Sequence, residues 1–333
     1  MSIGQSPDIA STFRDAPVLI IGGLGFIGSN LAHDLVTRGA RVHLFDCLIP
    51  KHGGVMHNIA NIAEQVKVTV GDLRDDERLA AAVTDARFVF NLAGQSSHWE
   101  SMTDPLTDLD INCRAQLRLL ESIRRWNPRV TLVFASTRQI YGSPRYLPVD
   151  EEHRLEPVDI NGIHKVASES YHELYARVYG LRCTTLWLTN TIGPRMRIRD
   201  ARQTFFGLWI RCAVEGQPFE VWGGDQLRDF NFIDDVVDAL LIAAALERAA
   251  GRVYNLGSTP VTLRNLAEIF RDVTGCDYVV TPFPHDRKII DIGNYYASYA
   301  RIQNELGWQP RTSLRDAVKR TIEYYKEHHD HYV

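Results

Sequence analysis

This 333-residue sequence predicts an α/β chain: a Rossmann-type doubly wound parallel sheet followed by a smaller C-terminal α/β substrate-binding cap. Three observations predict it. First, the N-terminal half alternates short apolar runs of strand length with helix-period segments, the pattern left when crossover helices cover both faces of a parallel sheet. Second, the run Val18-Leu19-Ile20-Ile21 meets Gly22-Gly23-Leu24-Gly25-Phe26-Ile27-Gly28. There Gly23, Gly25 and Gly28 satisfy G-x-G-x-x-G, while Gly22, Gly25 and Gly28 satisfy the G-x-x-G-x-x-G variant. Third, the texture changes beyond residue 189, where long strands give way to loops in which Arg195, Arg197, Arg199 and Arg202 cluster.

Taken in order, residues 1–16 read as an N-terminal extension and 17–188 as a dinucleotide-binding domain. Residues 189–333 are mainly the cap, with a segment near 228–260 returning to the first domain. The glycine turn after Ile21 asks for a tight bend, bare backbone where a pyrophosphate approaches, and close helix–strand packing. A helix from Ser29 to Arg38 then offers free N–H groups and a positive dipole end to the phosphates. Arg41–Asp46 is the next strand, and Asp46 lies roughly the ~20 residues past the turn expected of a ribose-binding carboxylate. Such a group accepts from a ribose diol and repels a 2′-phosphate, which favours NAD over NADP. A loop at 50–54 leads to a strand, Val66–Val70, ending in Gly71-Asp72-Leu73. Asp72 reads equally as an acceptor for an adenine amino group or as a helix N-cap. A helix pattern to Val83 precedes the buried strand Phe88–Asn91, which runs through Leu92 into Ala93 and Gly94, small enough for backbone to lie against a cofactor. Asp104-Pro105 opens a long helix to about Trp126 with Asn112 inside it. The strand Val130–Ala135 meets Ser136-Thr137-Arg138-Gln139-Ile140-Tyr141-Gly142. A helix over Asn161–Tyr179 and a strand over Cys183–Leu188 follow.

In the second half, Thr204–Val214 reads as an amphipathic helix, Asp234–Leu246, Leu263–Val273 and Leu314–Lys326 as helices, and Val253–Leu256 and Tyr278–Thr281 as strands. The arginine-rich, loop-rich texture suits a cap that receives an anionic substrate. A formal charge of −4 gives no case for nucleic acid or an anionic membrane surface. Five scattered cysteines without a C-x-x-C pair read as reduced thiols of a cytoplasmic protein. Residues 1–16 lack the apolar core of a signal peptide, and no apolar run reaches ~18 residues, so neither secretion nor membrane spanning is expected. The tail Glu327-His328-His329-Asp330-His331 is expected to be a frayed, solvated terminus rather than a metal site.

These motifs, in this order, resemble the extended short-chain dehydrogenase/reductases that modify nucleotide sugars: the NAD-dependent epimerases, dehydratases, decarboxylases and reductases. The likeness runs from Val18 to Tyr325. It rests on the glycine turn, Asp46, Gly71-Asp72-Leu73, Asn91-Leu92-Ala93-Gly94, Ser136-Thr137 with Tyr141-Gly142, and Lys165 with Glu169. It continues through Asn190 with Gly193-Pro194-Arg195, Arg228-Asp229-Phe230, Tyr254-Asn255-Leu256-Gly257-Ser258 and Leu306-Gly307-Trp308-Gln309-Pro310.

The resemblance implies roles position by position. Gly22, Gly25, Phe26, Ile27 and Gly28 would face the pyrophosphate, Asp46 the adenosine ribose, Asp72 and Leu73 the adenine, and Leu92 and Ala93 the cofactor's backbone-lined side. Lys165 would hydrogen-bond the nicotinamide ribose. Thr137, with Ser136 beside it, matches the residue that hydrogen-bonds the sugar hydroxyl being oxidised, and Asn112 the structural asparagine of the central helix. Asn190 and Arg228, with Gln95, Arg202 and Arg287, would meet a nucleoside diphosphate sugar, for which the bidentate guanidinium fork is suited. A homodimer formed through the helices 104–126 and 161–179 is implied as well.

One departure stands out. The family's tyrosine, four residues before the lysine, is Asn161 here, and there is no tyrosine between Tyr146 and Tyr171. An amide positions a hydroxyl but takes no proton near neutral pH. Three accounts follow. Lys165 or a neighbour such as His98 could serve as base, directly or through Thr137 and water; the chemistry could have moved toward elimination; or turnover could be lost while ligands are still bound. Dehydratases of this family commonly carry Asp-Glu after the threonine, whereas this chain has Arg138-Gln139, which counts against a standard 4,6-dehydratase. The expected activity is 4-epimerisation of an NDP-hexose through a transient 4-keto sugar, with dehydration, net oxidation or silent binding as the alternatives.

Overall fold

The computed structural model describes residues 9–49, 54–200, 204–285 and 290–333. Of the expected N-terminal extension, residues 1–8 therefore lie outside the described residues. Its end is a short helix, α1 (Ile9–Phe13), whose Phe13 is fully buried against Phe88 of the sheet.

Six strands follow in the first half: β1 (Pro17–Ile21), β2 (Arg41–Asp46), β3 (Lys67–Val70), β4 (Phe88–Asn91), β5 (Thr131–Thr137) and β6 (Arg182–Leu188). The short strands β7 (Asn190–Ile192), β8 (Phe219–Trp222), β9 (Leu227–Arg228) and β10 (Phe230–Phe232) precede β11 (Val253–Asn255), which returns to the central sheet. That sheet has seven strands in the order β11-β6-β5-β4-β1-β2-β3, all parallel. Its order reverses between β1 and β4, and the crevice beyond the strand ends at such a switch point is where open α/β sheets bind ligands.

Both faces of the sheet are covered, which is why β1 reads as a continuous apolar run. Val18 and Ile20 pack in the cluster that holds Leu31, Leu35 and Leu240, while Leu19 and Ile21 pack with Leu79, Leu119 and Ile123 on the opposite face. A third cluster, built on Tyr141, Trp187 and Tyr295, joins the sheet to the loops of the second half. The remaining short strands pair outside the central sheet, β7 with β10, β9 with Val261–Thr262, and β8 with Tyr278–Thr281.

The helices that matter for the site are α2 (Phe26–Thr37), α3 (Asp76–Val83), α4 (His98–Thr103), α5 (Pro105–Leu109), α6 (Ala115–Trp126) and α7 (Ile160–Tyr179). The expected long helix from Asp104 is not uniform. A π-helical turn over Asp110–Arg114 separates α5 from α6, and it turns the fully buried Asn112 inward. The short α4, capped by Ser97, was not foreseen, because six residues are too few to show a period. The C-terminal tail corrects another expectation. Rather than fraying, it docks: the His331 ring stacks on His57 with centroids 3.6 Å apart, and buried Tyr332 donates to Asn58 Oδ1 at 2.6 Å. Tyr332 also meets Tyr324 and Tyr325, so aromatic burial holds the chain end in place.

Among the described residues no helix is long and apolar enough to cross a membrane, no cluster has metal-ligating composition, and all five cysteines are unpaired.

Candidate active site

The glycine turn is shaped by contacts that no side chain would permit. Gly22 has φ +77°, and a Cβ there would stand 2.9 Å from the Ala93 nitrogen; a Cβ on Gly28 would stand 2.2 Å from the Gly22 carbonyl oxygen. Bare backbone is therefore required on both sides of the bend. Gly25 is the N-cap of α2 and carries no capping side chain, so the helix's first N–H groups remain free for an anion. Leu24 N–H, from the turn itself, donates to Asp46 Oδ2 at 3.0 Å, and Leu48 N–H donates to Oδ1 at 2.9 Å. Burial raises the Asp46 pKa, and these two donors oppose the rise. Gly22, Gly25, Asp46, Asp72, Leu73, Leu92 and Ala93 line a small pocket of about 100 Å³. Gly28 is not among the residues lining it and packs the helix against the turn instead. Asp72 is not the N-cap of α3; Asp75 is, accepting from Arg78 N–H. Asp72 instead accepts from Arg74, which holds its carboxyl below the usual range.

Beyond Leu92 and Gly94 the pocket meets a cavity of about 1000 Å³. Phe26, Ile27, Gln95, Ser136, Thr137, Asn161, Lys165, Asn190 and Arg228 all line it. Arg202 and Arg287 lie outside the described residues.

Thr137 ends β5, and its Oγ1 accepts from Gln139 N–H at 3.3 Å, leaving its own proton for another acceptor. Ser136 Oγ donates to Glu169 Oε1, so it serves a buried carboxyl group. Lys165 and Glu169, one helical turn apart on α7, are both buried. Burial pulls the Lys165 pKa down to about 8, opposed by Glu169 and Asp108, and pushes Glu169 up to about 8, opposed by Ser136 and Lys165. The Lys165 Nζ makes no hydrogen bond among the described residues and sits 5.2 Å from the Phe134 ring centroid. A Cβ on Gly94 would stand 2.9 Å from both Lys165 Nζ and Asn112 Oδ1, so a side chain there would displace these two groups.

Asn161 is built into a network. Its Nδ2 donates to the Gln95 carbonyl at 2.8 Å and to Asp108 Oδ2 at 3.0 Å, and its N–H donates to Ser101 Oγ at 3.1 Å. Asn112 bridges the same partners, donating to the Gln95 carbonyl and to Asp108 Oδ2 while accepting from Gln95 N–H. Asp108, 1% exposed, is further held by His164 Nδ1 at 2.7 Å, so His164 serves this carboxylate rather than the cavity. The Gln95 side-chain nitrogen donates to the Ser97 carbonyl, which makes Gln95 largely part of the scaffold.

A second carboxylate, Asp159, caps α7 through Gly162 N–H and accepts from Gln139 Nε2 at 2.9 Å. His98 Nδ1 lies 3.0 Å from Asp159 Oδ2, out of line for a well-formed hydrogen bond but close enough for ionic attraction. Burial alone would raise the Asp159 pKa; His98, Gly162 N–H and Gln139 together hold it below its ordinary value.

At the cap end, Asn190 Nδ2 donates to the Asp229 carbonyl and Arg138 Nη2 donates to Asn190 Oδ1 at 3.1 Å. Arg228 is buried; its donors go to Asp291 at 3.0 Å and to the carbonyls of Leu227 and Gly293. Burial, then the nearby Arg138, lowers its pKa to about 10. Sequence reasoning named Arg138 only for the carboxylate it displaces, and passed over Asp159 and Asp291. An aspartate directly before a helix was the available sign for Asp159; Asp291 lies in an aperiodic stretch and gave none.

Comparison with known proteins fits this geometry. The sequence pattern described as "NAD dependent epimerase/dehydratase family" matches residues 18–257. The chain is 28% identical to CDP-paratose 2-epimerase of Salmonella typhi, across 92% of this chain and 98% of that protein. It is 27% identical to UDP-glucose 4-epimerase of Mycolicibacterium smegmatis, across 92% and 98%. Its fold superposes with a TM-score of 0.85 on the crystal structure of Thermotoga maritima UDP-glucose 4-epimerase with UDP-glucose, at 29% identity, covering 94% of this chain and 99% of that one.

Proposed function

Because this chain belongs to the NAD dependent epimerase/dehydratase family, we propose that it binds NAD along the Gly22–Gly28 turn and epimerises a nucleoside diphosphate hexose at C4. The observation that carries this reading is the single cavity joining Phe26 and Ile27 to Thr137 and Lys165, and these in turn to Asn190 and Arg228. The residues fit the cofactor: bare backbone at Gly22 and Gly28, an uncapped α2 and Asp46 at the end of β2 match a pyrophosphate and a ribose diol. When bound, NAD takes up the hydrogen and electron pair of a sugar C–H bond and returns them.

The chain's own residues then orient the sugar and move a proton. Thr137 Oγ holds the reacting hydroxyl. Asn161 takes no proton, since it is an amide with both donors engaged. Two groups on the wall can: Lys165, whose pKa of about 8 lets it share a proton near neutral pH, and His98, steadied by Asp159. Elimination is disfavoured because neither residue after Thr137 is a carboxylate, and both are engaged, Arg138 with Asn190 and Gln139 with Asp159. The relatives named as 4-epimerases support the choice of C4.

The division into a 17–188 NAD-binding domain and a 189–333 cap belongs to the same proposal. So does a cytoplasmic homodimer: Ile163, Leu174, Val178 and Tyr179 on α7 are exposed, with Leu106 and Trp126 on the neighbouring helices.

The test is incubation of the NAD-loaded chain with a nucleotide-sugar panel, read by NMR and mass spectrometry. A stereoisomer of unchanged mass is expected. Loss of about 18 or 2 mass units would move the reaction to dehydration or oxidation, and tight binding without turnover would overturn the enzymatic reading.

A further inference from the structure

Arg138 is a cation in the cavity wall that forms no ion pair among the described residues. Its Nη2 donates to Asn190, its guanidinium carbon stands 5.1 Å from the Tyr295 ring centroid, and its Nη1 is buried without a hydrogen-bond partner. The carboxylates nearest to it in charge are engaged elsewhere. Asp229, fully buried, accepts from the Thr189 hydroxyl and from Ala297 N–H at 3.0 Å. Asp291 pairs with Arg228 at 3.0 Å and accepts from Gly293 N–H at 3.0 Å. The two arginines of this wall therefore differ: Arg228 has its counter-ion, and Arg138 does not. Burial lowers the Arg138 pKa and raises that of Asp229, as expected where charge is poorly compensated. Proteins rarely bury a guanidinium without a partner, and its planar fork matches an oxyanion.

We propose that the missing partner is a carboxylate on the sugar of the substrate, so that Arg138 selects a nucleoside diphosphate hexuronate over the neutral hexose. This rests on reading the cavity as a nucleotide-sugar site with Thr137 at the C4 hydroxyl. In a pyranose the diphosphate on C1 lies across the ring from C4, whereas C6 is carried by the neighbouring C5. Arg138 directly follows Thr137 and its Nη2 reaches Asn190, so this assignment puts the C6 carboxylate at the Arg138 guanidinium and leaves the C1 diphosphate to Arg228 and the remaining donors of the wall.

Calorimetric titration of the NAD-loaded chain tests this, using NDP-glucuronate, NDP-glucose and the bare NDP in the uridine, cytidine, guanosine and thymidine series. The three titrations are repeated with Arg138→Gln and Arg138→Lys. The wild type is expected to bind the glucuronate of its series at least tenfold tighter than the glucose. Arg138→Gln should abolish that preference while changing NDP affinity less than twofold, and Arg138→Lys, which keeps the charge but not the fork, should retain part of it. Without nucleotide sugar, the Arg138→Gln chain should melt no lower than its parent, since a desolvated cation lacking a counter-ion has been removed. Equal affinity for the two sugars overturns the assignment. A uniform loss across all three ligands in Arg138→Gln places the anion at the diphosphate and also overturns it. Turnover of both sugars without preference leaves epimerisation standing and removes only the carboxylate. Preference for the glucuronate without turnover supports Arg138 and counts against the epimerase. Binding of no ligand in any series overturns both.

Discussion

The two ends of the cavity are built by different means. At the cofactor end, seven consecutive residues, Gly22 to Gly28, set the shape, and backbone sets nearly all of it: a positive φ at Gly22, a packing of Gly28 on the Gly22 carbonyl that leaves no room for a Cβ, and an uncapped helix. At the sugar end, side chains from residues 95–112, 136–139, 159–169, 190, 228–229 and 291 converge, several of them held by partners far along the chain. A backbone cradle tolerates almost no substitution, whereas a side-chain network can exchange one member if the rest are re-satisfied. That contrast explains how Asn161 can stand where the family resemblance implies a tyrosine, with the cofactor cradle unchanged.

The largest effect that would break the contrast is at the cradle. Gly28→Ala forces its Cβ into the Gly22 carbonyl, so helix and turn must part. Cofactor content after purification should fall below a tenth of the wild type, with a lower melting temperature. Retention of full NAD content would mean that the cradle yields as readily as the sugar end.

Lys165 sits between the two ends and should show opposite signs in two measurements. Its ammonium is buried and lacks a hydrogen bond among the described residues, so Lys165→Met removes a desolvated charge and should leave the ligand-free melting temperature unchanged or higher. Turnover should drop by about 100-fold or more, the scale on which a positioned proton-handling group acts. Parallel losses of stability and turnover would instead make Lys165 a structural residue.

At the sugar end, Asn161→Tyr asks whether the ordinary relay can simply be restored. The side chain is 1% exposed and donates to the Gln95 carbonyl and to Asp108. A tyrosine breaks both bonds, leaving Asp108 with His164 and Asn112. A loss of roughly 2 kcal/mol in denaturant unfolding is expected, at about 1–3 kcal/mol for an abandoned buried acceptor, with no gain in turnover. A gain would show that the network is less rewritten than its hydrogen bonds imply.

How much of this was legible in the sequence follows the same division. The alternating apolar runs, the Gly22–Gly28 turn and Asp46 are local in sequence, and the fold and cofactor crevice followed from them. Asn161 was visible as a departure, but its partners Gln95 and Asp108 lie more than fifty residues away, and no periodicity links them. The π-helical turn that aims Asn112 inward, and the docking of Tyr332 on Asn58, are tertiary outcomes of the same kind. Arg138 was read for what it replaces; that it lacks a counter-ion depends on where Asp229 and Asp291 find their own partners.

The smallest effect tests whether the sugar end is electrostatically poised even without ligand. Burial pushes the Glu169 pKa up to about 8, from 4.5 for a solvated glutamate. The folded chain therefore keeps a proton that the unfolded chain releases, so stability falls as pH rises from about 4.5 to 8 and stays lower above that window. Glu169→Gln can still accept from Ser136 and has no proton to lose. The variant should melt like the wild type near pH 5 and progressively above it toward pH 8, by an amount equivalent to at least about 1 kcal/mol, since one pKa unit corresponds to about 1.4 kcal/mol. The comparison should be made without nucleotide sugar, so that only the protein's own charges titrate. Identical pH profiles would mean that Glu169 ionises normally, with Lys165 and Ser136 compensating its burial, and the sugar end would then be as fully satisfied as the cradle.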